Sequence, residues 1–170
     1  AEATAGRPVT ASTLDRVDEA IAKLDAMIAS MSQPPGSLAD RYRAGRVHGD
    51  TGPLEPWPHI LDLAGRLESH QSVVILKARQ IGVSWGIAAY VASRLKEPSF
   101  TALALSQGQD EAAELLDHIA TIATTGPDAI AGAHVAKHKI EIPGGGRAIA
   151  LPSTRRAGRS YRADVIVVDE

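Results

Sequence analysis

Cysteine is absent from all 170 residues, which excludes a disulfide framework and a thiolate metal site. It also fits a reducing cytosol. Long apolar runs are missing too: none approaches the roughly 18 residues needed to span a bilayer. The opening "AEATAGRPVT" lacks the basic-then-apolar form of a secretory signal. There is no internal repeat and no low-complexity tract. Nor is there strong charge of either sign. With a net charge of -2, any contact with nucleic acid must be local. What remains, 44% apolar and 22% charged residues, is the balance of a soluble globular chain long enough for a real core. The expectation is a soluble, cytoplasmic protein.

The N-terminal part is helical in pattern. Leu14, Val17, Ile21, Leu24, Ile28 and Met31 recur three and four apart, which places them on one helical face. Ser12 or Thr13 can cap that helix, and "SQPPGS" ends it. A polar, Gly- and Pro-rich stretch follows, read as a short helix and a connecting loop. Pro58 then opens a helix at "PHILDLAGRLESH".

Beyond this point strands and helices alternate. "SVVILK" is a β-branched run and "SWGIAAYVASRLK" a helix; "FTALALS" and "GQDEAAELLDHIATIAT" repeat the pair. "KIEIP" and "RAIALP" read as strands joined by a turn at Gly144 to Gly146, and "ADVIVVDE" as a buried strand. This order predicts an α/β fold with a mostly parallel sheet flanked by helices, its ligands beyond the carboxyl ends of the strands.

Two motifs carry chemistry. In "SVVILKARQIGVSWG" a strand stops at a glycine-containing loop and hands over to a helix, which aims backbone N–H groups and a helix dipole at one point. The usual phosphate loop, G-x-x-x-x-G-K-[ST], would have glycine at Lys77 and lysine at Val83. Lys77 can instead supply the cation from the strand side. Arg79 adds a second charge, Gly82 allows close approach, and Ser84 stands where a hydroxyl would reach Mg²⁺. The second motif ends "ADVIVVDE" with Asp169 and Glu170, an acid for the Mg²⁺ shell and a neighbour to polarise attacking water. The two motifs in this order point to a nucleoside triphosphatase.

Between them "PSTRRAGRSYRAD" gathers Arg155, Arg156, Arg159 and Arg162. Such a loop can stabilise a transferring phosphoryl group, hold DNA phosphates, or simply be a solvated basic surface. His134 and His138 stand four apart without the intervening glutamate of a metalloprotease. Trp85 reads as packing more than as base stacking.

"LKARQIGVSW", "TALALSQGQDEAAELL" and "ALPSTRRAGRSYRADVIVVDE" together resemble the ATPase domain of a large terminase subunit, the motor that packages double-stranded DNA into tailed-phage capsids. The resemblance covers about Leu54 to Glu170. It implies a P-loop NTPase of the ASCE type, with residues 1–50 as a helical extension and linker and 51–170 as the ATPase domain, incomplete after the acidic strand. It implies ATP and Mg²⁺ as cofactors. The nucleotide loop becomes Lys77, Ala78, Arg79, Gln80, Ile81, Gly82, Val83 and Ser84, with Lys77 on phosphate and Arg79 matching a proposed arginine finger. Ser84 and Asp169 become the Mg²⁺-linked pair, and Glu170 the catalytic glutamate. Where the family often reads adenine through an aromatic-Gln element, "EPWPHIL" offers Trp57 and His59 and no glutamine.

The implied partners are double-stranded DNA, a portal protein and a small terminase subunit. The implied assembly is a homo-oligomeric ring on the capsid, in the host cytoplasm, with this piece alone monomeric. Nuclease activity is expected only in a C-terminal part beyond Glu170. The alternatives are another DNA-dependent ATPase such as a DE-box helicase, and a degenerate, non-catalytic prophage remnant.

Overall fold

A computed structural model describes residues 36–154 and 161–169. The helix expected over 12–31, the arginines at 155, 156 and 159, and Glu170 lie outside the described residues. Among the described residues eleven elements follow in order: α1 (Leu38–Arg43), β1 (His48–Gly49), β2 (Gly52–Pro53), α2 (Pro58–Ser69), α3 (Val83–Arg94), β3 (Thr101–Ser106), α4 (Gln109–Thr124), β4 (His134–Ala136), β5 (Lys139–Glu141), β6 (Arg147–Pro152) and β7 (Val165–Val168).

The fold is mixed α/β, with a five-stranded sheet of order β4-β5-β6-β3-β7 flanked by helices. β3 is its central parallel strand, paired in parallel with both β6 and β7. The β4–β5–β6 arm is antiparallel, turned at Gly144 as the glycine run predicts. Alternation along β3 and β6 sends Ala102, Ala104, Ala148 and Ala150 toward the helices, where small side chains let α4 lie close to the sheet. α3 packs along α4 and reaches α2 through Gly86, where an added Cβ would come within 3.2 Å of Leu63. Leu95, Leu116 and Ile119 are fully buried in this layer, and each contributes about 1.5–3 kcal/mol by leaving water.

Residues 38–50, expected in the N-terminal extension, pack here on α2 and α4, with Tyr42 and Leu38 in the core. Asp128, in the loop after α4, accepts from Arg41 Nε at 3.0 Å and also pairs with Arg46, so one carboxylate ties three segments together. Burial pushes the Asp128 carboxyl up, but Arg46 and Arg41 outweigh it and hold it below the ordinary aspartate range.

Two expectations need correction. "SVVILK" joins no ladder: no backbone–backbone hydrogen bond holds residues 72–77 among the described residues. The segment runs beside the open edge of β7 across a groove of about 880 Å³. Strands pair only at about 4.8 Å, so the two edges do not meet. The strand "ADVIVVDE" is likewise not buried on both faces. Ile166 (60%) and Val168 (74%) are exposed, as are Val74 (96%) and Leu76 (103%) on the neighbouring segment. Its other face, Val165 and Val167, packs on the core. β4, a three-residue edge strand, was not expected from the sequence.

Two outcomes are expected. In amide hydrogen exchange, Val73 to Leu76 exchange at nearly unprotected rates while Ala102 to Leu105 are among the slowest. Asp128→Asn lowers unfolding free energy by about 1–2 kcal/mol in denaturant titrations. Because the folded-state value is depressed, this contribution is present above about pH 4 and fades as pH falls through the lowered value.

Candidate nucleotide site

The site forms where residues 72–77, α3 and β7 end or begin together. Asp164 sets β7 in place: its N–H donates to Thr101 O at 2.8 Å, and its carboxylate accepts from Thr101 N at 2.9 Å. Four residues of parallel pairing later, Asp169 N donates to Leu105 O at 2.9 Å, which carries the acid just past the carboxyl end of the sheet. Lys77 arrives from the other side of the groove at the same level. Its Nζ lies 3.3 Å from Asp169 Oδ1, so the cation of the first motif and the acid of the second meet.

The loop between Lys77 and α3 is tightly turned. Gln80 (φ 60°) and Gly82 (φ 79°) both adopt left-handed backbone, which glycine takes at no steric cost and glutamine does not. Gly82 also serves as the N-cap of α3, so no side chain occupies the first-turn amides from the cap position. Ala78, Arg79 and Gln80 are exposed; Ile81 and Ser84 are half-buried; Val83 is buried and anchors the helix start. Val83 therefore faces the core, in the position where the usual loop has its lysine.

The start of α2 closes over this loop. Trp57 caps the helix, and its ring lies against Gly82, where an added Cβ would stand 3.3 Å from Cζ3. His59 Nε2 hydrogen-bonds the Ile81 carbonyl at 2.7 Å. The two rings are 5.6 Å apart and tilted by 31°. Trp57 thus lies against the loop, and His59, which stands in the sequence where a glutamine is absent, engages loop backbone. Trp85 behaves as packing: its ring is 4.2 Å from that of His118, whose imidazole burial drives toward the neutral form.

Among the described residues no group of three His, Asp or Glu side chains is placed to hold a metal by itself, and His134 and His138 gather no third ligand. A Ser84 hydroxyl and an Asp169 carboxylate are oxygen donors of the type Mg²⁺ takes, a hard cation that can use one or two protein oxygens and complete its shell with water and phosphate. Arg162 is exposed in the approach to β7. No helix of the described residues is long and apolar enough to cross a membrane. Comparison with protein-family models and with curated proteins finds no match to this chain.

The Lys77–Asp169 pair is more than a third exposed on both sides (35% and 42%), so water screens it. Lys77→Met should therefore change unfolding free energy by less than about 1 kcal/mol. Urea titration checks this, and a larger loss would mark the lysine as structural.

Proposed function

We propose that this chain is the P-loop ATPase part of a large terminase subunit, which hydrolyses ATP to drive double-stranded DNA into a procapsid. The observation that carries the proposal is the 3.3 Å approach of Lys77 to Asp169. Two motifs far apart in sequence, each weak alone, end in opposite charges at one point beside a glycine-turned helix start. A phosphate-binding lysine and a Mg²⁺-linked aspartate need that proximity, because both act on the same terminal phosphates. The terminase reading itself rests on the displaced lysine in "LKARQIGVSW" and on the arginine-rich approach to the acidic strand.

In this mechanism the amides at the start of α3 and the Lys77 ammonium bind the phosphates, and Arg79 neutralises charge that builds on the γ-phosphoryl group. Ser84 and Asp169 would hold Mg²⁺, which when bound neutralises the phosphate oxygens. Glu170 accepts a hydrogen bond from the attacking water and orients it in line. Trp57 borders the loop and supplies an aromatic face for the base. Catalysis of this kind is positioning and electrostatics, with no covalent intermediate on the protein. The reading implies a ring of copies on the capsid, contacting a portal protein and a small terminase subunit.

The test is equilibrium titration with a non-hydrolysable ATP analogue and Mg²⁺. Wild-type protein is expected to bind, and Lys77→Ala to bind at least about tenfold more weakly, the loss of one charge-assisted phosphate contact. Glu170→Gln should retain binding and lose hydrolysis. Unchanged affinity in Lys77→Ala would overturn the displaced-lysine assignment.

A further inference from the structure

The loop that would receive phosphate is poorly held at its entry. Residues 72–77 have no ladder to fix them, and the turn passes through two left-handed residues, Gln80 and Gly82. Something else must set the direction of the peptide units between them. Ile81 O points to His59 Nε2 at 2.7 Å, and this contact joins the loop to the first turn of α2. A carbonyl oxygen only accepts, so Nε2 carries the proton.

A trans peptide is planar, with its C=O and N–H directed oppositely. No peptide bond here is cis. Holding the Ile81 carbonyl toward α2 therefore turns the Gly82 N–H away from α2. That N–H makes no hydrogen bond among the described residues. It stands immediately before the first-turn amides of α3, which have no intrahelical acceptor. Trp57 backs the same peptide from the Gly82 side, and Pro58, with its fixed φ, sets the spacing between the tryptophan and the histidine.

We infer that His59 is a positioning residue, which holds the Ile81 carbonyl so that the Gly82 N–H joins the α3 amides as a donor for nucleotide phosphate before the nucleotide arrives. This rests on the nucleotide-site reading for its ligand. The pinning of the loop stands on the hydrogen bond alone. The role needs a donor at the Nε2 position and nothing else of the imidazole, so a glutamine amide can replace it and a leucine cannot.

Amide hydrogen exchange and titration with a Mg²⁺-ATP analogue, on the wild type, His59→Leu and His59→Gln, test it. His59→Leu is expected to speed exchange about tenfold at Gly86, whose N–H donates to Gly82 O at 3.0 Å, in the protein without nucleotide, the usual worth of one such bond. It should weaken analogue binding by a similar factor while the α4 and β3 amides keep their rates. His59→Gln should restore both. Equal Gly86 exchange in His59→Leu and wild type would overturn the inference, as would failure of His59→Gln to recover slow exchange there. Absence of analogue binding by the wild type would instead count against the nucleotide site, with the exchange rates still deciding the pin.

Discussion

The register of β7 against β3 decides where the acidic end of the chain sits. Asp164 fixes it twice over, donating its N–H to Thr101 and accepting the Thr101 N–H on its carboxylate. From there Val165 pairs with Ala102 and Val168 with Leu105, and Asp169 follows. A slip of one residue would exchange the two faces of β7, placing Ile166 and Val168 on the core in place of Val165 and Val167. It would also displace Asp169 by about 3.3 Å along the strand, further than the ion pair with Lys77 can stretch. The meeting of the two motifs thus hangs on a hydrogen-bonded corner at the opposite end of the strand.

Most elements were legible in the chain because local pattern and tertiary setting agree. The helix starting after Gly82, the helix over Gln109–Thr124 and the strands at 101–106 and 147–152 each carry a clear period and a stop signal, and each finds a partner. "SVVILK" carries as strong a strand signal, yet a β-branched run reports only a preference for extended backbone. Whether a ladder forms depends on an edge within reach, and the edge of β7 is across a groove. The reverse holds for His134–Ala136. Three residues are too few to show a period, but β5 offers an edge, and the pairing follows.

The site was legible unevenly. Lys77, Gly82 and Asp169 announce themselves by residue type and spacing, since only certain side chains can bind phosphate, accept φ 79° or hold a cation. The bond from His59 to Ile81 gave no such signal. It joins a side chain to a backbone carbonyl, and a carbonyl is the same at every position. Val83 belongs to the same lesson. Its place inside the core explains why the loop can lack lysine there: a cation at that point of this backbone would enter apolar packing.

Lys77 and Asp169 each answer the other's charge, and the strength of that answer matters for what the site can do. A deeply buried pair would be hard to separate, because parting two desolvated charges costs several kcal/mol. This pair is exposed enough for water to take over either charge, so holding it together contributes little. The Lys77–Asp169 contact by itself therefore locks neither charge in place. A polyphosphate with its metal presents the complementary charges in the reverse sense, anion toward the lysine and cation toward the aspartate. On the proposed function, one weak pair would be replaced by two charge-assisted contacts, an exchange that a tight resting pair would oppose.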